Sequence, residues 1–176
     1  MGVRAAEPAE IDLLAQLWFD GWRDAHAAIV PPELTRVRTL DSFRERLRAA
    51  LPSVRVAGEA GSPLGFYLLK GDELYQLYVS GLARGSGVAA ELIADAEARL
   101  ADRGVEVAWL ACAIGNERAA RFYEKRGWRR AGTFVSELDT IGGVVPLEVW
   151  RYEKRLPPGD VGNQAQAERQ KLERQR

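Results

Sequence analysis

Residues 77–93 read LYVSGLARGSGVAAELI, and this stretch carries the plainest chemistry in the chain. Strand-like residues run into a loop whose last part, Arg84-Gly85-Ser86-Gly87-Val88-Ala89, becomes the first turn of a helix. The first amides of a helix have no acceptor within it and lie at the positive end of its dipole. Gly85 and Gly87 remove the Cβ atoms that would block close approach, so several N–H groups can converge on one anion. Arg84 adds a guanidinium that can grip a phosphate with two parallel hydrogen bonds. The segment is expected to cradle a pyrophosphate rather than to serve only as a tight turn.

The kind of phosphate ligand follows from what surrounds the glycines. An ATP-binding loop needs Gly-Lys-Ser/Thr at the helix entry, and no lysine lies nearby. Gly85 to Ala90 satisfies G-x-G-x-x-A literally, as a dinucleotide site would. That site needs its glycines directly after the strand and an acidic residue ending the next one. Here residues 80–84 intervene and the next strand ends Leu110-Ala111-Cys112, with Glu106 at its opening, so a nicotinamide cofactor is disfavoured. A second segment, NERAARFYEKRGW at residues 116–128, has Asn116 as a natural helix cap and Ala119, Phe122 and Tyr123 on neighbouring faces. Taken alone, it makes Tyr123 a half-buried aromatic packing on a sheet.

The elements that must position these residues can be traced from hydrophobic period and punctuation. Residues 2–6 suit an edge strand; Ala9–Ala28 carries apolar residues at helical spacing until Pro31-Pro32; Thr39 or Asp41 caps a second helix that ends before Pro52. Strands are expected at Val54–Ala57, Leu64–Leu69 and Glu73–Val79, separated by Gly, Ser, Pro and Asp turns. A helix then runs from Val88 to a Gly104 C-cap, followed by a buried-type strand at Val105–Ala111. A short helix at Asn116–Arg126 and strands at Trp128–Leu138 and Val144–Tyr152 close the domain. The order predicts one α/β domain of α+β type over residues 1–156, with a mixed, mostly antiparallel sheet and flanking helices. Residues 157–176 form a polar tail, expected to be disordered or a solvated helix.

Composition narrows the classes. With 176 residues, 47% of them apolar, the chain can bury a core without staples. Lys+Arg and Asp+Glu are both 25, a formal charge of zero that argues against nucleic acid or a membrane surface as partner. The 21 arginines against four lysines, beside many alanines, look like codon preference. Cys112 is the one cysteine and His26 the one histidine, which excludes an intramolecular disulfide and leaves no set for a structural zinc; no metal is expected. No long apolar run or signal-peptide core is present, so a cytoplasmic protein is expected.

Taken together, the two motifs resemble the GNAT superfamily of acyl-CoA-dependent N-acetyltransferases. Its pyrophosphate motif, Gln/Arg-x-x-Gly-x-Gly/Ala, is matched by Arg84, Gly87 and Ala89. Its second motif, Asn-x-x-Ala-x-x-Phe-Tyr-x-x-x-Gly-Phe/Trp, is matched by Asn116, Ala119, Phe122, Tyr123, Gly127 and Trp128. The resemblance covers residues 54–152 and implies two splayed central parallel strands with acetyl-CoA between them. It implies that the backbone of Leu77, Tyr78 and Val79 binds the pantetheine arm and polarises the thioester. The amides of Arg84, Gly85, Ser86, Gly87, Val88 and Ala89 would hold the pyrophosphate, and Asn116 would reach the arm. Tyr123 occupies the position of the general acid that protonates the departing thiolate. Glu73, eleven residues before Arg84, stands where some members place a general base, or else merely flanks the Gly71-Asp72 turn.

The implied reaction is direct acetyl transfer to a primary amine in a ternary complex. The acceptor is a small molecule or a peptide, and a homodimer is plausible for the family. Cys112 is better taken as a buried core residue than as a nucleophile. His26 suits packing or surface more than base catalysis. Trp18, Trp22 and Tyr75 could line an acceptor pocket or fill the core. Ser86 stands where many members carry a cation, and Ser80-Gly81 replaces a frequent polar-Pro pair, which predicts weaker phosphate binding and a looser loop. The competing readings are an inactive acyl-CoA sensor and an interaction subunit using residues 157–176.

Overall fold

A computed structural model describes residues 2–174. Its seven strands are β1 (Val3–Ala5), β2 (Arg55–Ala57), β3 (Gly65–Lys70), β4 (Glu73–Val79), β5 (Val107–Ala113), β6 (Arg129–Thr140) and β7 (Gly143–Arg155). They form one sheet in the order β1-β2-β3-β4-β5-β7-β6. Every neighbouring pair is antiparallel except β4 and β5.

Side chains of a strand alternate between the two faces. Along β3, Phe66 and Leu68 enter one core and Tyr67 the other, so a strand buried on both faces requires helices on both sides. Helices α1 (Ile11–His26) and α3 (Leu40–Ala50) cover the first face through Leu14, Trp18, Phe43 and Leu47. Helix α4 (Val88–Asp102) covers the second through Leu92, Ile93, Ala96 and Leu100, and α5 (Glu117–Lys125) adds Ala120.

The differences from the sequence expectation have local causes. Pro31-Pro32 was expected only to stop a helix, but Pro32 opens α2 (Pro32–Val37), where a fixed φ and a missing N–H cost nothing in the first turn. Thr39, not Asp41, caps α3, its side chain accepting from Ser42 N at 3.1 Å. The strand expected from Val105 begins two residues later, because Val105 N still bonds to Leu100 O at 3.1 Å and closes the end of α4. The terminal hairpin runs further toward its turn than its apolar pattern, since pairing continues through Thr140 and Gly143, and β7 continues to Arg155 along β5, while β6 begins one residue late, at Arg129. Gly159 is pressed against α4, where a Cβ would lie 2.5 Å from Asp102 Oδ1, and α6 (Asp160–Glu173) leads away from that contact. Residues 175 and 176 of the expected tail lie outside the described residues.

Candidate active site

Strands β4 and β5 meet at a single pair, Glu73 opposite Trp109, where Trp109 N donates to Asp72 O at 3.2 Å. Beyond it β4 stays paired with β3 and β5 with β7, and the two part company. Ser80 N donates to Leu64 O at 2.8 Å on the β3 side. Amide directions alternate along a strand, so Leu77 and Val79 turn their backbone groups into the gap. Tyr78 turns its carbonyl toward Gly65 and borders the gap with its ring. A cleft of about 600 Å³ fills the opening.

The segment expected to cradle a pyrophosphate forms the mouth of the cleft. Gly87 is the N-cap of α4, with φ +88°, and no side chain caps this end. Gly85 also has positive φ, +77°, and a Cβ at either glycine would meet no protein atom within 4 Å. The space in front of both is therefore open, and the amides of Val88, Ala89 and Ala90 precede the first helical acceptor bond, Glu91 N to Gly87 O at 3.0 Å. The Ser86 hydroxyl donates back to Ala83 O and fastens the loop. Arg84 lies at the mouth, bound to Asp24 Oδ2 at 2.6 Å, and Arg118 binds the same oxygen at 2.9 Å. The two guanidiniums hold the Asp24 carboxyl below the usual carboxylate range, Arg118 most strongly.

Asn116 lines the cleft and caps α5, its Oδ1 accepting from Ala119 N at 3.4 Å. Tyr123 stands beside the cleft next to its wall residues Cys112 and Tyr78, half-buried, its ring 5.5 Å from Phe122, 6.1 Å from Tyr152 and 6.3 Å from Trp128. Its hydroxyl has no hydrogen-bond partner among the described residues. Burial, then Cys112 and Tyr78 beside it, push the phenol pKa up, so it stays protonated. Cys112 is buried against the cleft, its thiol facing Asn116 O at 3.8 Å. Burial pushes that thiol up to about 12, and a thiol rather than a thiolate is no nucleophile at neutral pH.

A second cavity of about 140 Å³ adjoins the first, sharing Tyr75, Gln76, Tyr78 and His26 with it. Glu73 opens into this smaller cavity. Burial pushes its carboxyl up to about 7, against the pull of Lys70 and Arg151. His26 accepts no charge there: burial lowers it to about 4, and Nδ1 lies 3.1 Å from Trp22 O. The proton therefore belongs on Nδ1, leaving Nε2 as an acceptor. Trp22 both packs on Phe43 and lines the second cavity, and Tyr75 lines both cavities, while Trp18 is wholly core.

Sequence reasoning missed several residues. Arg118 falls at an unspecified position of the second motif, and no spacing in the sequence joins it to Asp24 and Arg84. Gly21 in the middle of α1 is there because a Cβ would lie 2.8 Å from Tyr78 Cδ1; a glycine inside a helix is itself a signal of such close approach. Gln76, Arg38 and Arg46 reach the second cavity from strand, loop and helix, and no spacing in the sequence joins them.

Residues 14–128 match the model of the acetyltransferase (GNAT) family. The chain belongs to that family. A probable N-acetyltransferase of Mycobacterium tuberculosis, Rv2775, is 24% identical over 170 residues, covering 89% of this chain and 96% of its own. A GCN5-related N-acetyltransferase from Rhodopseudomonas palustris superimposes with a TM-score of 0.68 at 23% identity, covering 88% of this chain and 95% of its own. YncA of Salmonella typhimurium, a putative acetyltransferase solved with its cofactor acetyl-CoA, gives 0.64 at 16% identity, over 89% and 94%. This GNAT chain is thus an acyltransferase, and acetyl-CoA is the donor its family uses. Among the described residues no helix is long and apolar enough to cross a membrane.

Proposed function

We propose that the chain transfers an acetyl group directly from acetyl-CoA to a primary amine within a ternary complex, with Glu73 as base and Tyr123 as acid. The observation that carries this reading is the single Glu73–Trp109 pair, which leaves one gap open toward both the cradle and the Glu73 cavity. Acetyl-CoA would supply an activated acyl group as a thioester. The amides of Arg84 to Ala89 would hold the pyrophosphate, together with the Arg84 guanidinium once it leaves Asp24. Leu77 and Val79 offer unpaired backbone groups to the pantetheine arm, and an amide aimed at the developing oxyanion is worth about 3 kcal/mol. Tyr78 would contribute its ring and Asn116 its free amide nitrogen.

Trp22, His26 and Tyr75 would enclose the amine. Glu73 accepts the proton that the ammonium must lose, a task suited by a carboxyl at about 7. The amine nitrogen then bonds to the acyl carbon and gives up its second proton to solvent as the C–S bond breaks; Tyr123 donates its proton to the departing sulfur and is reprotonated from solvent. A cytoplasmic location, a small-molecule or peptide acceptor, a homodimer, and a catalytic domain of residues 1–156 followed by a solvated tail belong to the same proposal.

Calorimetric titration with acetyl-CoA, CoA and NADPH, followed by an amine screen, tests it. Acetyl-CoA and CoA should bind, NADPH should not, and Gly87→Glu should weaken acetyl-CoA binding roughly 100-fold, about 2.7 kcal/mol. Tyr123→Phe should keep acetyl-CoA affinity and lower kcat by about 100-fold or more. Binding of NADPH alone, or normal acetyl-CoA affinity with no transfer to any amine, would overturn the reading; the second result would favour a sensor.

A further inference from the structure

Two arginines meet at the smaller cavity, and neither has a carboxylate partner. Arg38, at the end of α2, is only 6% exposed and forms no ion pair within 4.0 Å among the described residues. Its sole side-chain bond there is a long one, Nη1 to Asp139 O at 3.4 Å. A guanidinium carries five donors, and burying a charge without a counter-charge is costly. Arg46 on α3 reaches the same cavity, its guanidinium 4.3 Å from the Trp18 ring and 3.2 Å from Tyr75 Oη, again without an acid. The two cations repel one another, and Asp139 offsets Arg38 only from too far to pair, while Glu73 lines the same cavity without pairing with either arginine.

An ordinary core would have replaced Arg38 or given it an acid. The other buried charge among the described residues has its partner: Glu10, 1% exposed, is gripped by Arg4 through two bonds of 2.8 Å. The remaining cavity wall includes Leu34, Leu138, Leu147 and Val149, which would accept an apolar body.

We propose that the smaller cavity is the acceptor site, that its substrate is a primary amine bearing a carboxylate, and that Arg38 and Arg46 receive that carboxylate while the amine faces Glu73 and the gap. This rests on the acetyltransferase reading and deepens it. A free amino acid of modest apolar side chain suits a volume of about 140 Å³. The neutral analogue lacking the anion would leave the buried Arg38 guanidinium without a counter-charge, which is the stronger source of discrimination.

The experiment uses the full chain and matched probes: leucine, valine, methionine and phenylalanine beside their carboxamides. Each is titrated calorimetrically into CoA-saturated protein, and each is then assayed for acetylation. The carboxylates should bind and react roughly 10- to 100-fold better than their carboxamides, the value of a charge-assisted contact. That ratio should collapse toward one in Arg46→Gln, which sits on a half-exposed position and is expected to fold, and in Arg38→Met, whose fold circular dichroism checks. Equal binding of the two series, binding of neither, or a ratio unchanged in Arg46→Gln would overturn the carboxylate site. Acetylation of neutral amines without preference overturns it while leaving the acetyltransferase reading intact. Carboxylate-selective binding without any acetylation supports the site and brings down the catalytic reading instead.

Discussion

Glu73 has two measurable signatures. As the base it must be ionised, so kcat/KM should rise with pH through about 7, and that inflection should vanish in Glu73→Gln. Its effect on stability has the opposite sense. The folded value lies above the ordinary 4.5, so between about 4.5 and about 7 the native state holds a proton that the unfolded chain has released. Stability contributed by Glu73 is therefore lost as pH rises through that window. Glu73→Gln should be indistinguishable from wild type near pH 4.5 and more stable at pH 8, on the order of 1–3 kcal/mol. His26, lowered to about 4, acts in the other direction in both proteins and cancels from the comparison. Urea melts at the two pH values decide; equal stability at pH 8 would show that Glu73 is not held in the buried state described here.

At the scale of elements, the site depends on how closely α1 approaches β4. Ala normally improves a helix interior over Gly by about 1 kcal/mol. At position 21 the added Cβ would meet Tyr78 Cδ1 at 2.8 Å, and the ring is wedged between Trp18 and Phe66. Gly21→Ala should therefore be destabilising by about 1–2 kcal/mol, the cost of overpacking. Because Tyr78 borders the cleft, acetyl-CoA affinity should fall as well. A stabilised variant with normal binding would mean that α1 simply moves away. A second clamp holds α5: Trp128 Nε1 and Lys154 Nζ both donate to Glu97 Oε1, at 2.9 and 2.8 Å, and Lys154 also reaches Arg126 O at 2.7 Å. Trp128, a matched residue of the second motif, thus joins the end of α5 to α4 and β7.

At the scale of the molecule, one pair of residues joins the β1–β4 half of the sheet to the β5–β7 half, with α4 crossing between them. A ligand lying in the gap would bridge both halves and bind only the folded chain. At 100 times its Kd, acetyl-CoA should add about 2.7 kcal/mol and raise Tm by roughly 5–10 °C. Differential scanning calorimetry with acetyl-CoA, and with NADPH as the control, measures this; an unchanged Tm with acetyl-CoA would deny that the gap is its site.

Much of this was legible beforehand because it is local. Gly85 and Gly87 sit where φ must be positive, Asn116 caps its own helix, and the period of apolar residues follows from strand and helix geometry, so types and spacing suffice. The positive-φ glycine loop and the order of elements apart from α2 therefore depended on the sequence alone, and the motifs at residues 84–89 and 116–128 carried the family. What only the tertiary structure decided involves residues far apart in the chain. The splay is the absence of pairing between β4 and β5 beyond Glu73–Trp109, a property of no single segment. Burial that moves Glu73 to about 7, and keeps the Tyr123 phenol protonated, is made by neighbours from other elements. Arg38, Arg46 and Glu73 converge from a loop, a helix and a strand, and an unpaired charge becomes visible only once the space around it is closed.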